Sequence, residues 1–250
     1  MSLSIGVFDS GVGGLTVLKE LVISHPSKYI YIGDSLRAPY GNKSKEELLS
    51  HTKELINFLK EKGCDIFISA CNSLSSLDTD NLLKELEIEK ENYIDMVSAT
   101  RKNVEKDLEE KSKVLIYATV ATIGSGSYQD VFKIYDTETL ASQNLAFGIE
   151  TSDEIVIDEE VDLLVDVVIE NNITHLFLGC THYPLIEDYL EKRLKGLSIK
   201  IINPAKYVTK NLPFNNLNKN NIEIYTTKLN DIWFERIKEF KGAILKEINL

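Results

Sequence analysis

"SIGVFDSGVGGLTVLKELVIS", residues 4–24, sets the pattern that the rest of the chain repeats. Residues 4–9 are an apolar run of strand length, residues 15–24 read as a helix, and a glycine-rich turn joins them. "YIYIGD" (29–34) is a second strand. Ser44 then opens a helix with Glu47 three residues on, the capping-box spacing. That helix has Leu48, Leu55, Ile56 and Leu59 on one face and ends at Gly63. "CDIFISAC" (64–71) is a third strand, followed by a helix. The alternation restarts at "ENYIDMV" (91–97), with a charged helix after it, and continues through "KVLIYAT" (113–119). A short helix "SYQDVFKIY" and a longer one, "DEEVDLLVDVVIENN", lead to the strand "THLFLGC" (174–180). The helix "LIEDYLEKRLKG", the strand "LSIKIIN" and a tail of one strand and one helix, "NIEIYTTKLNDIWFERIKEFKG", complete the chain. Such alternation predicts an α/β protein with mainly parallel sheets flanked by helices, and two runs of it predict two α/β domains.

Composition narrows the function classes. The 250 residues are 43% hydrophobic and 27% charged, ordinary for a globular protein. No apolar stretch approaches the ~20 residues of a membrane span, and the start of the chain lacks the basic and apolar regions of a signal peptide. The expected location is the cytoplasm, with no membrane association. A net charge of -11 argues against an electrostatic nucleic-acid surface. The three cysteines, Cys64, Cys71 and Cys180, do not make a disulfide framework.

Two of those cysteines share a setting. In "LFLGCTHYPLI" an apolar run ends at Cys180, with Thr181 to cap a following helix and Pro184 suited to its first turn. The thiol then sits near the positive end of a helix dipole, which favours thiolate, and His182 is close by. In "DIFISACNSLSS" a strand again ends in a cysteine, Cys71, followed by the polar pair Asn72-Ser73. Each alone reads equally as core filling. Parallel sheets bind ligands outside the carboxyl ends of their strands, so two such cysteines, one per half, can face each other across a cleft. Cys64 begins its strand and reads as structural.

"FDSGVGG" (8–14) fits neither the dinucleotide fingerprint, since position 16 is Thr, nor a P-loop. Its glycines let backbone N–H groups approach a carboxylate closely, and Asp9 ends its strand as Cys71 ends its own. "GDSLRAPYGNKS" (33–44) is a long polar loop suited to wall a cleft. The C-x-H spacing is poor for zinc and no Cys-x-x-Cys exists, so no metal is expected. Two thiols around one small carboxylate ligand suit racemisation by two bases: one thiolate removes a proton from Cα and the other thiol protonates the opposite face. The carbanionic intermediate needs its carboxylate among strong donors.

Here the chain resembles glutamate racemase, a cofactor-independent family that makes D-glutamate for bacterial cell walls. "IGVFDSGVGGLTVLKEL", "YIGDSLRAPYG", "ACNS", "LGCTHYPL" and the tail "EIYTTKLNDIWFERIKEFKG" carry the resemblance, which covers nearly the whole chain. It implies two pseudo-symmetric α/β domains, residues 1–92 plus 206–250 and residues 93–205, with the site in the cleft between them. It implies Cys71 as the base for the D-enantiomer and Cys180 for the L-enantiomer. Asp9 would assist Cys71 and His182 would assist Cys180, with Glu150 near the second cysteine. Asp9, Ser10, Pro39, Tyr40, Gly41, Asn72, Ser73, Thr119, Thr122, Thr181 and His182 would hold glutamate. No cofactor, no nucleic-acid partner and a homodimer are expected. Ser73 stands where the family usually has threonine, Leu74 where it has alanine, and "LASQNLAFGIE" lacks the family's prolines before Glu150. The competing readings are an aspartate racemase with the same two-cysteine chemistry, and a binding or regulatory protein on the same fold.

Overall fold

The computed structural model describes residues 3–212 and 219–250. Its strands, in chain order, are β1 (Ser4–Asp9), β2 (Lys28–Gly33), β3 (Ile66–Ser69), β4 (Tyr93–Asp95), β5 (Lys113–Thr119), β6 (Asp136–Ser142), β7 (His175–Gly179), β8 (Lys200–Ile202), β9 (Asn221–Thr226) and β10 (Ile244–Glu247). They form a six-stranded sheet, β10-β9-β2-β1-β3-β4, and a four-stranded sheet, β6-β5-β7-β8. Every pairing is parallel. This is the expected architecture of two parallel sheets flanked by helices.

The cause is visible in burial. β1 is buried along its whole length, and β5 and β7 at all but their first residue, as parallel strands covered on both faces must be. Helix Lys45–Glu61 covers one face of the larger sheet with Leu48, Leu55, Ile56 and Leu59, all buried. It begins at the capping box: Ser44 Oγ accepts from Glu47 N–H at 3.3 Å, and Glu47 Oε2 accepts from Ser44 N–H at 2.9 Å. It ends with Gly63 at φ 75°. There Gly63 N–H donates to Lys60 O and Cys64 N–H to Leu59 O, the paired bonds that close a helix with a left-handed residue. Helix Glu154–Glu170 covers the smaller sheet with Val161, Leu164 and Val168. Between the sheets one apolar cluster is shared: Val7, Tyr31 and Ile68 of the first belong to the same cluster as Val114, Ile116 and Phe177 of the second.

Two strands escape the sequence pattern, β6 and β10. Each lies at a sheet edge and pairs with one neighbour only. "DTETLAS" and "ILKE" therefore lack the apolar run of a central strand. The helices Val120–Ser125 and Leu145–Thr151 were also not anticipated.

Candidate active site

The two sheets turn their carboxyl ends toward one cavity of about 190 Å³. Residues just beyond β1, β2, β3, β7 and β9 line it, as do the last residues of β5 and β6. Cys71 follows β3 at the cap position of the short helix Asn72–Ser75. Cys180 directly follows β7. Both line the cavity, at 4% and 6% exposure. Cys64 is free and outside it.

Each sulfur has its own polar neighbour. The Cys71 thiol donates to Ser10 Oγ at 3.9 Å. Cys180 Sγ meets His182 Nδ1 at 3.8 Å, and His182 Nε2 meets Glu150 Oε2 at 2.6 Å. The environment after Cys180 differs from the sequence reading. The chain enters a single 3-10 turn, Tyr183–Ile186, with Pro184 in its first positions and no side-chain cap. Thr181 turns its hydroxyl toward Asp9, 3.5 Å from each carboxylate oxygen. One turn carries little dipole, so His182 is the polar partner of Cys180.

The charges are arranged asymmetrically. Burial lowers the proton affinity of His182, but its hydrogen bonds to Cys180 and Glu150, with the Glu150 charge, outweigh this and leave it well above its ordinary value. Burial raises Glu150, yet the His182 contact, Ser35 and the Val12 N–H bring it below the usual value. The two directions agree on an imidazolium–carboxylate pair. On the other side, burial pushes the Cys71 thiol up, reinforced by the charge of Asp9. Burial also raises Asp9, against the charge of His182 and the N–H groups of Gly14 and Ser10.

The glycine turn does receive carboxylates, but they are the protein's own. Gly14 N–H donates to Asp9 Oδ2 at 2.6 Å, and Val12 N–H to Glu150 Oε2 at 3.4 Å. A Cβ on Gly13 would lie 2.5 Å from His182 Nδ1, and one on Gly11 3.0 Å from both Glu150 oxygens. Glycine here is space for the opposite half to enter. Gly41 serves likewise, where a Cβ would meet Thr119 Cβ at 2.7 Å.

The residues expected to hold a small ligand gather here. Ser10, Pro39, Tyr40, Gly41, Asn72, Ser73, Thr119, Thr181 and His182 line the cavity, and so does Glu150. Asp9 and Thr122 do not; both are fully buried behind the wall. Thr122 Oγ1 lies 3.0 Å from Thr119 Oγ1 and 3.4 Å from Ser73 Oγ, which is itself 3.0 Å from Thr119 Oγ1. Asn72 Oδ1 accepts from Tyr128 OH, while its Nδ2 is buried without a protein partner. That leaves a donor for a ligand carboxylate. Leu74 packs fully buried with Leu48 and Leu55, so the departure from alanine is absorbed by the core. Ser35, Ser142, Phe147, Lys228 and Asn230 also line the cavity and were not singled out from the sequence. The signal for several of them was position alone, just past the carboxyl end of a strand. Among the described residues no group of three or more His, Cys, Asp or Glu is placed to hold a metal ion.

No protein-family model matches the chain. It is 32% identical over 256 residues to glutamate racemase 3 of Caldanaerobacter subterraneus, covering 94% of this chain and 89% of the relative. Among solved structures it resembles glutamate racemase isoform RacE1 of Bacillus anthracis, with a TM-score of 0.82, 27% identity and coverage of 99% and 98% of the two chains. It also resembles the glutamate racemase of Francisella tularensis in complex with D-glutamate, with a TM-score of 0.80, 25% identity and coverage of 99% and 98%. Identity of that extent over nearly the full length of both sequences, on the same two-sheet fold, places this chain in the glutamate racemase family of amino-acid isomerases.

Proposed function

We propose that the chain interconverts L- and D-glutamate by proton transfer between Cα and two cysteines. The observation that carries this is the pair of buried thiols at the ends of β3 and β7, on different sheets but one cavity. In the L-to-D direction, Cys180 thiolate takes the Cα proton and becomes a thiol. The electron pair moves into the α-carboxylate, and the Cys71 thiol delivers its proton to the opposite face. The D-to-L direction reverses the roles. The imidazolium of His182, held by Glu150, supplies a donor to Cys180 sulfur while it is anionic. Cys71, pushed toward thiol by burial and by Asp9, suits the proton-delivering state, and a proton on Asp9 relieves that push when Cys71 must ionise.

Asn72 Nδ2 and the hydroxyls of Ser10, Ser73, Thr119 and Thr181 serve the ammonium and the two carboxylates; Pro39, Tyr40 and Gly41 form the wall. Thr122 acts through Thr119 and Ser73. The first unit comprises residues 1–92 plus 206–250 and the second 93–205, in a homodimer of the cytoplasm. The product, D-glutamate, serves peptidoglycan synthesis. Aspartate, one methylene shorter, is the competing substrate within the same chemistry.

The test is incubation with D-glutamate in D₂O without added cofactor, following optical rotation and deuterium at Cα together. Loss of rotation with deuterium uptake is expected. Silence with glutamate but turnover of aspartate would reassign the substrate, and silence with both would leave a binding protein.

A further inference from the structure

We propose that Ser35 is a positioning residue for the Cys180 base, joining it to the buried indole of Trp233 through Glu150 and His182. Trp233 Nε1–H donates to Ser35 Oγ at 3.1 Å, and Ser35 O–H donates to Glu150 Oε1 at 3.2 Å. Glu150 Oε2 then holds His182 Nε2, and His182 Nδ1 faces Cys180 Sγ. This inference rests on Cys180 being one of the two bases.

The polarity of the chain is forced from its far end. An indole N–H only donates, so Ser35 Oγ is its acceptor and the single Ser35 proton is left for Glu150. Glu150 thus accepts on both oxygens, from Ser35 on one and from His182 and Val12 on the other. A carboxylate surrounded by donors stays ionised. An ionised Glu150 fixes the proton of His182 on Nε2, which leaves Nδ1 as the ring atom that gains and loses a proton as Cys180 does. Ser35 therefore helps hold the proton on Nε2, so that Nδ1, the nitrogen facing the sulfur, is the one that exchanges a proton.

The anchor is rigid. Trp233 is fully buried, its ring lies 6.2 Å from that of Tyr31, and a Cβ on Gly33 would lie 2.7 Å from Trp233 Cη2. It belongs to helix Asp231–Arg236 and does not line the cavity. The segment after β9 thereby reaches the sulfur after β7 through the loop after β2, by way of Trp233, which lies outside the cavity.

The experiment compares wild type with Ser35→Ala, Ser35→Thr and Trp233→Phe, with Cys180→Ser as control. The equilibrium constant between enantiomers is one, so kcat/KM changes equally in both directions and its size alone does not identify the affected base. The isotope effect does. Loss of the Ser35 hydroxyl is expected to lower kcat/KM about tenfold. It should raise the primary isotope effect on kcat/KM for L-glutamate deuterated at Cα and lower that for the D-enantiomer. Ser35→Thr, which keeps the hydroxyl, should restore both, and Trp233→Phe should move both in the same sense by less. Isotope effects in Ser35→Ala equal to wild type, whatever its rate, overturn the inference. If the wild type does not racemise, or Cys180→Ser keeps its rate, the base assignment falls and this inference with it. A racemising wild type, an inactive Cys180→Ser and an unmoved Ser35→Ala overturn this inference alone.

Discussion

At the scale of single residues, the two thiols carry the sharpest expectation. Serine is a far weaker acid than cysteine, so Cys71→Ser or Cys180→Ser should lower kcat by about 10²–10⁴-fold, the usual worth of one acid–base group. A single variant with near-normal turnover would rule out two bases. The His182–Glu150 pair predicts a pH signature in stability. His182 lies above its ordinary 6.5, so its share is complete below 6.5 and fades as pH climbs through the raised value. Glu150 lies below its ordinary 4.5, so its share is present above 4.5 and fades as pH falls through the lowered value. Glu150→Gln should therefore lose most melting temperature relative to wild type between pH 4.5 and 6.5. The cost there is about 3 kcal/mol, as for breaking a buried pair. Melting curves from pH 4 to 9 check it; a gap independent of pH would contradict the pair. The cysteines and His182 were legible because each is a chemically active side chain within a few residues of a strand end. Ser35 lies as close to the end of β2 but is an ordinary loop serine, and its meaning depends on Glu150 and Trp233, 115 and 198 residues away.

Among elements, the glycine turn between β1 and the first helix yields a prediction that its composition alone does not. Gly13→Ala would put a methyl 2.5 Å from His182 Nδ1. Overpacking of this kind costs about 1–3 kcal/mol, and displacement of His182 should lower kcat at least tenfold. A Gly13→Ala protein with wild-type kcat would show that the halves yield freely at that point. Gly63, by contrast, meets nothing within 4 Å but sits at φ 75°. Gly63→Ala should cost about 1 kcal/mol in denaturant unfolding and leave kcat unchanged. The central strands and the helix Lys45–Glu61 were readable because burial on one or two faces imposes a period on the sequence. β6 and β10 were not, because these two edge strands are mostly solvent-facing and interrupt their apolar residues with polar ones, whereas the edge strands β4 and β8 each keep a buried isoleucine. The turn after Cys180 was misread as a capped helix because its threonine is drawn across the cleft by Asp9, a partner 172 residues away.

For the whole molecule, a net charge of -11 meets a substrate that is itself an anion. The cavity lining includes a single Lys or Arg among the described residues, Lys228, which is exposed at its edge. Screening the overall repulsion should raise kcat/KM for glutamate by up to roughly threefold as the Debye length shrinks from ~30 Å at 0.01 M to ~8 Å at 0.15 M salt. Lys228→Ala should steepen that dependence. A kcat/KM that falls with salt in both proteins would mean that local attraction outweighs the global field. The order of the strands has a temporal consequence as well. β9 lies inside the larger sheet between β2 and β10, yet it follows β5 to β8 of the other sheet in the chain. On the ribosome, at ~5–20 residues per second, β1 to β4 emerge early and wait with the flank of β2 unpaired. The four strands of the smaller sheet are made in that interval. The half that is begun first is thus the half completed last, and a nascent chain arrested before β9 would expose the edge of β2 to any other strand in reach.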